Sequence, residues 1–159
     1  MPVELRAAGR RVRLDLRRLR VQAEFLLERV GRGEQVLSVL LTDDREMAVL
    51  HERWTGEGGS TDVLSFPMEE QGILGDIVIS AETAARRAQG RPEREILRYL
   101  VHGVLHLTGH DHRTKAQKFR MDRLAHRLLS EVLRREGCSP RELYRPPRLV
   151  SGTGYRLKR

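Results

Sequence analysis

Asparagine is absent from the 159-residue chain, lysine occurs only at Lys115, Lys118 and Lys158, and Cys138 is the single cysteine. A lone cysteine forms no internal disulfide, so the composition gives no sign of an oxidising compartment. No stretch approaches the ~20 apolar residues of a membrane span. The opening segment MPVELRAAGRRVRLDL carries no apolar run of the signal-peptide kind. These absences set the expectation of a cytoplasmic chain without membrane association. The missing asparagine fits a heat-adapted source without requiring one.

What the chain does have is positive charge: 30 basic residues against 22 acidic ones, a net of +8. With so little lysine, almost all of that charge sits on guanidinium groups. Arginine pairs bidentately with phosphate and stacks on bases, which suits RNA, although a GC-rich genome enriches arginine for unrelated reasons. The charge therefore implies attraction to polyanions and names no substrate.

The length fits one domain with an ordinary core. Alternation and apolar spacing predict strands over 3–7, 35–41, 62–66 and 76–80, and helices over 14–30, 45–54, 80–89, 92–107 and 114–135. Thr42-Asp43-Asp44 supplies a helix cap, Gly56 to Ser60 a loop, and Gly75-Asp76 a turn before the last strand. Phe119, Leu124, Leu128, Leu129, Val132 and Leu133 are the expected apolar face of the final helix. Together these elements predict an α/β (α+β) single domain: a small mixed sheet of about four strands packed with about five helices. The domain is expected to span 1–137. Residues 138–159, with three prolines, five arginines and one lysine against Glu142, read as a basic, weakly ordered tail, and Tyr144 and Tyr155 give it groups that could stack on bases.

Four of the six histidines fall within HGVLHLTGHDH, residues 102–112. His102 and His106 are i and i+4, which puts both on one helix face, about 5–6 Å apart. Thr108-Gly109 can end that helix, because glycine tolerates a left-handed backbone. The chain can then turn back and offer His112 as a third imidazole. His110, next to the turn glycine, is the poorer ligand. Three neutral nitrogens with a fourth position open make a catalytic zinc site, expected here at the end of a central helix with one Zn²⁺ per chain. Zinc so held lowers the pKa of water at its open position to about 7.

The spacing HxxxHxxGxxH matches that of metzincin proteases, in which glutamate follows the first histidine as general base. Gly103 stands there in this chain, which argues against proteolysis. Asp111 is the nearest carboxylate in sequence and is expected to orient a ligand by accepting its second ring N–H.

HGVLHLTGHDH, TDVLSFP (Thr61 to Pro67) and GDIVIS (Gly75 to Ser80) resemble the three signature blocks of the YbeY endoribonucleases, and LTDDREMAVLHERW (Leu41 to Trp54) is similar to the block upstream of them. The resemblance covers roughly residues 35–135. It implies an α/β domain binding one zinc through His102, His106 and His112. It also implies a single-strand-specific endoribonuclease that matures the 3′ end of 16S ribosomal RNA and acts in late 70S ribosome quality control. Ribosomal RNA and the small ribosomal subunit are the implied partners. The chain departs from the family where a Tyr-Arg pair is common: Trp54 and Thr55 stand there, with His51 in place of asparagine and Ala125 in place of a frequent glutamate. Arg53 and Arg98 are the candidate phosphate contacts, with Thr61 and Asp62 as further substrate-binding candidates. Two other readings remain: a ribosome-maturation RNA-binding factor with structural zinc and little catalysis, and a zinc protease or amidase.

Overall fold

The computed structural model describes residues 3–8, 12–55, 62–68, 70–88 and 92–137. The expected 56–60 loop, Thr61 and the basic tail lie outside the described residues. The strands are β1 (Val3–Ala7), β2 (Val36–Thr42), β3 (Val63–Pro67) and β4 (Ile73–Ser80). The helices are α1 (Leu16–Arg29), α2 (Asp44–Thr55), α3 (Ala81–Arg87), α4 (Pro92–Leu107) and α5 (Lys115–Arg135). The four strands form one mixed sheet in the order β1-β2-β4-β3, parallel except for the antiparallel edge strand β3. The described residues form four strands and five helices in an α/β arrangement, the architecture expected from the sequence.

Local chemistry explains where the helices begin. The Asp15 carboxylate accepts from the Arg18 backbone N–H at 3.1 Å, and Asp43 does the same for Glu46 at 2.8 Å. Thr114 and Gln117 complete a reciprocal capping box at the start of α5. Each satisfies backbone donors that the first helical turn leaves orphaned.

Period-two alternation sorts the sheet into two unequal faces. Leu37, Val39, Leu41, Ile77, Ile79 and Val63 point into the main core with α1, α4 and α5. Leu64 and Val78 point the other way, into a small cluster with Met47 of α2. The middle helix α4 packs against β3, β4, α1, α3 and α5. Accordingly, it buries Ile96, Leu97, Tyr99, Leu100, Val101, Gly103, Val104 and Leu105, while Arg94, Arg98, His102 and His106 lie along its less buried side.

The ends of β2 and β4 are tied together by Asp44. Its carboxylate accepts from the Ser80 and Thr83 hydroxyls at 2.5 and 2.6 Å and from Arg86. Burial alone would raise its pKa, but hydrogen bonds from Arg86, Ser80 and Thr83 outweigh burial and hold it at about 2.

Two expectations change. Gly75-Asp76 is not a turn: both residues lie inside β4, which begins at Ile73. The register shifts between Val36 and Leu37, so that Leu74 is the extra residue of a bulge. Phe119 is not core: it is 61% exposed, and the buried stripe of α5 runs instead through Met121, Ala125, Leu128, Val132 and Leu133. Pro67, one residue past the strand expected over 62–66, is the last residue of β3, which an edge strand allows because the missing N–H faces no partner strand.

Gly75 is held where no side chain fits. Its φ is +152°, and a Cβ would land on the Phe66 carbonyl oxygen and 2.9 Å from Leu107 Cδ2. Gly75→Ala should therefore destabilise the protein by about 2–5 kcal/mol, combining backbone strain with overpacking. Urea unfolding measures this, and a change below about 0.5 kcal/mol would refute the close approach.

Candidate metal centre

The C-terminus of α4 builds the histidine cluster. Gly109 takes a φ of +98°, and its N–H donates to the His106 carbonyl at 3.1 Å. The His110 N–H reaches back to the Leu105 carbonyl at 3.0 Å. This pair of bonds is a Schellman motif, the glycine-dependent helix stop. It reverses the chain so that the His112 ring stands edge-on to that of His106, with centroids 5.2 Å apart.

The same turn sets the protonation of His106. Its Nδ1 lies 3.1 Å from the His110 carbonyl oxygen. A carbonyl only accepts, so Nδ1 carries the proton and Nε2 keeps its lone pair. His106 Nε2 and His112 Nε2 are both buried with no hydrogen-bond partner among the described residues, and His102 Nδ1 is buried as well. A buried imidazole nitrogen without a partner is costly in a finished core.

Desolvation keeps the His102 and His106 rings neutral. Burial pushes the pKa of His102 down to about 4, with Asp122 opposing the shift and Arg98 reinforcing it. Burial likewise lowers His106 to about 4, against the pull of the His110 carbonyl. Neutral imidazole is the form that ligates metal. Among the described residues, no three histidine, cysteine, aspartate or glutamate side chains are gathered closely enough to hold an ion as they stand. Donor chemistry, neutrality and partnerless nitrogens nevertheless fit a cation.

The other candidates are distributed unevenly. Asp111 accepts from the His112 backbone N–H at 2.7 Å and pairs with Arg113 at 2.8 Å. It shapes the loop, whereas the acceptor for the His106 ring is the His110 main chain, a partner that composition does not reveal. Arg98 lies one turn before His102 and pairs with Glu95 at 3.3 Å. Asp62 is buried, with its carboxylate on Arg87 at 2.7 Å, and Arg87 also reaches the Tyr99 hydroxyl. Asp62 thereby braces β3 against α3 and α4. Arg53 is exposed on α2, whose Met47 packs on the sheet face opposite α4. Its neighbour Trp54 packs on Phe66, with ring centroids 5.5 Å apart.

Gly103 has a role that its comparison with proteases concealed. A Cβ there would lie 2.7 Å from Ile77 Cδ1 and 3.2 Å from Ser65 Oγ. The position faces the sheet, so a glutamate at 103 would be driven into the core and would not face substrate.

A family model described as Endoribonuclease YbeY matches residues 8–133. The chain is 44% identical over 146 residues to the Endoribonuclease YbeY of Anaeromyxobacter sp. (strain Fw109-5), covering 86% of this chain and 73% of the relative. It is 41% identical to that of Thermus thermophilus, covering 71% and 88%. The solution structure of TM1509 from Thermotoga maritima superposes with a TM-score of 0.61 at 26% identity, covering 91% of this chain and 98% of that one.

The lowered histidine pKa values predict a pH-dependent stability. Above about pH 6.5 folded and unfolded chains both hold neutral rings. Between about 6.5 and 4 the unfolded chain takes up protons that the folded chain refuses, so stability falls as pH drops. Calorimetry of metal-free protein should show Tm falling across that window, and falling less steeply in His102→Gln. Identical slopes in the two proteins would contradict the buried neutral ring.

Proposed function

The chain belongs to the YbeY endoribonuclease family, and from that premise we propose that it is a zinc-dependent hydrolase of single-stranded RNA. On this reading it matures ribosomal RNA, including the 3′ end of 16S RNA, and takes part in late 70S quality control, with the small ribosomal subunit as its partner. The observation that carries the reading is the pair of buried, partnerless nitrogens His106 Nε2 and His112 Nε2 beside a neutral His102.

His102, His106 and His112 would hold the ion. When bound there, zinc supplies Lewis acidity toward water and toward a phosphodiester oxygen. The chain's own contributions are distinct. The His110 carbonyl fixes the His106 tautomer and ring orientation. Asp111 and the Gly109 turn hold His112 in place. Arg98 brings a cation within one helical turn of His102, suited to a phosphate, and the net positive charge draws in RNA. The packing at Gly103 argues against the peptidase alternative, because that position offers no room for a general base in the cleft.

Zinc-loaded protein should cut single-stranded ribosomal RNA precursors and spare duplex RNA. His106→Ala should lower the rate by about 100-fold or more, the scale on which losing a ligand or its supporting partner acts. Metal analysis should show about one zinc per chain in the wild type and less in the variant. Intact precursor RNA with the zinc-loaded protein, or unchanged cleavage by His106→Ala, would overturn the reading. Undiminished ribosome association by an inactive, still folded His112→Ala protein would favour the binding-factor reading that Thr55 in place of the family arginine motivates.

A further inference from the structure

The exposed surface of α5 beside the histidine turn carries a feature that the proposed chemistry does not use. Phe119 is 61% exposed, and the Arg123 guanidinium lies over its ring, 5.6 Å from the centroid. Arg120 is exposed beside it and makes no ion pair or hydrogen bond with another described residue. Arg120 also lines a groove of about 380 Å³ together with Gly109, His110, Asp111, Gln117 and Leu124. Three of those lining residues belong to the turn between His106 and His112. The groove therefore borders the turn that carries the chain from His106 to His112.

A phenylalanine in water beside two arginines is poorly explained by folding. Its burial would add apolar contact, yet α5 turns it outward and uses Met121 and Ala125 against the core. Proteins that hold single-stranded nucleic acid combine aromatic rings, on which bases stack, with cations that follow the phosphates. Duplex RNA hides its base faces and cannot use such a ring.

We propose that Phe119, Arg120 and Arg123 form a landing platform for single-stranded RNA. One nucleobase stacks on Phe119, the two guanidinium groups take the flanking phosphates, and the 109–111 groove leads the strand to the histidines. This inference rests on the RNA reading above for its ligand, but it concerns binding and not cleavage.

The test is fluorescence anisotropy of the zinc-loaded full chain with a labelled single-stranded oligoribonucleotide and with its duplex. Phe119→Ala should weaken single-strand binding about tenfold, the usual scale of one base–aromatic stack, and Phe119→Trp should restore it. Arg120→Gln should weaken binding and reduce the slope of log Kd against log salt by about 0.7, as expected for one lost phosphate contact. Arg17→Gln, an exposed cation on α1, should change neither affinity nor slope beyond what loss of one distant charge produces. Thermal melts confirm that the variants fold.

Wild-type affinity in both Phe119→Ala and Arg120→Gln overturns the platform, and so does a dimer that Phe119→Ala dissociates while RNA affinity stays intact. Cleavage assays run in parallel separate the two ideas. Platform variants that bind and cut like wild type sink the platform alone. A wild type that binds through Phe119 without cutting sinks the nuclease reading alone. A wild type that neither binds nor cuts sinks both.

Discussion

The contact on which the histidine cluster depends is the close approach of α4 to the edge of the sheet. Gly103 lets the helix backbone settle against Ile77 and Ser65, and Gly75 leaves room for Leu107 and the β3 main chain. Interiors packed at crystal-like density transmit displacements of this size instead of absorbing them. A helix lifted by one methyl group would carry His102 and His106 away with it. The two glycines thus position the histidine cluster as much as the turn that follows it does, although neither offers a donor atom.

A second layer of control lies in main-chain hydrogen bonding. The Schellman turn that ends α4 also presents the His110 carbonyl to the His106 ring. One local motif accordingly stops the helix, reverses the chain toward His112 and selects the imidazole tautomer. Asp111, expected to orient a ligand, accepts from the His112 backbone N–H and pairs with Arg113, and Asp62, a substrate-binding candidate, pairs with Arg87.

Much of the fold is legible in the sequence because caps and apolar periods are local signals. Asp15, Asp43 and Thr114 begin helices where their side chains can accept orphaned N–H groups. The His102–His106 spacing and the Gly109 stop are legible for the same reason. Gly75 misleads because a turn and a bulge both favour glycine before aspartate, and only the neighbouring strand distinguishes them. Phe119 misleads by its apolarity alone, because it lies about 140° and 180° round the helix from Leu124 and Leu128. At 3.6 residues per turn it sits about 200° round the helix from Met121, the true first residue of the stripe. The His110 carbonyl, the partner of His106, is beyond reach because every residue carries one.

The unequal cover on the two faces of the sheet has a kinetic consequence. The face under α1, α4 and α5 shares the main core, whereas the face under α2 rests on Met47, Leu64 and Val78 with Leu40, Leu50 and Phe66 around them. So small a cluster resists opening far less than the core does, and the Asp44 clasp to Ser80, Thr83 and Arg86 is its principal lateral tether. The sheet and the histidine-bearing helix share the larger core and α2 rests on the smaller one, so the amides of α2 should be the first to exchange with solvent.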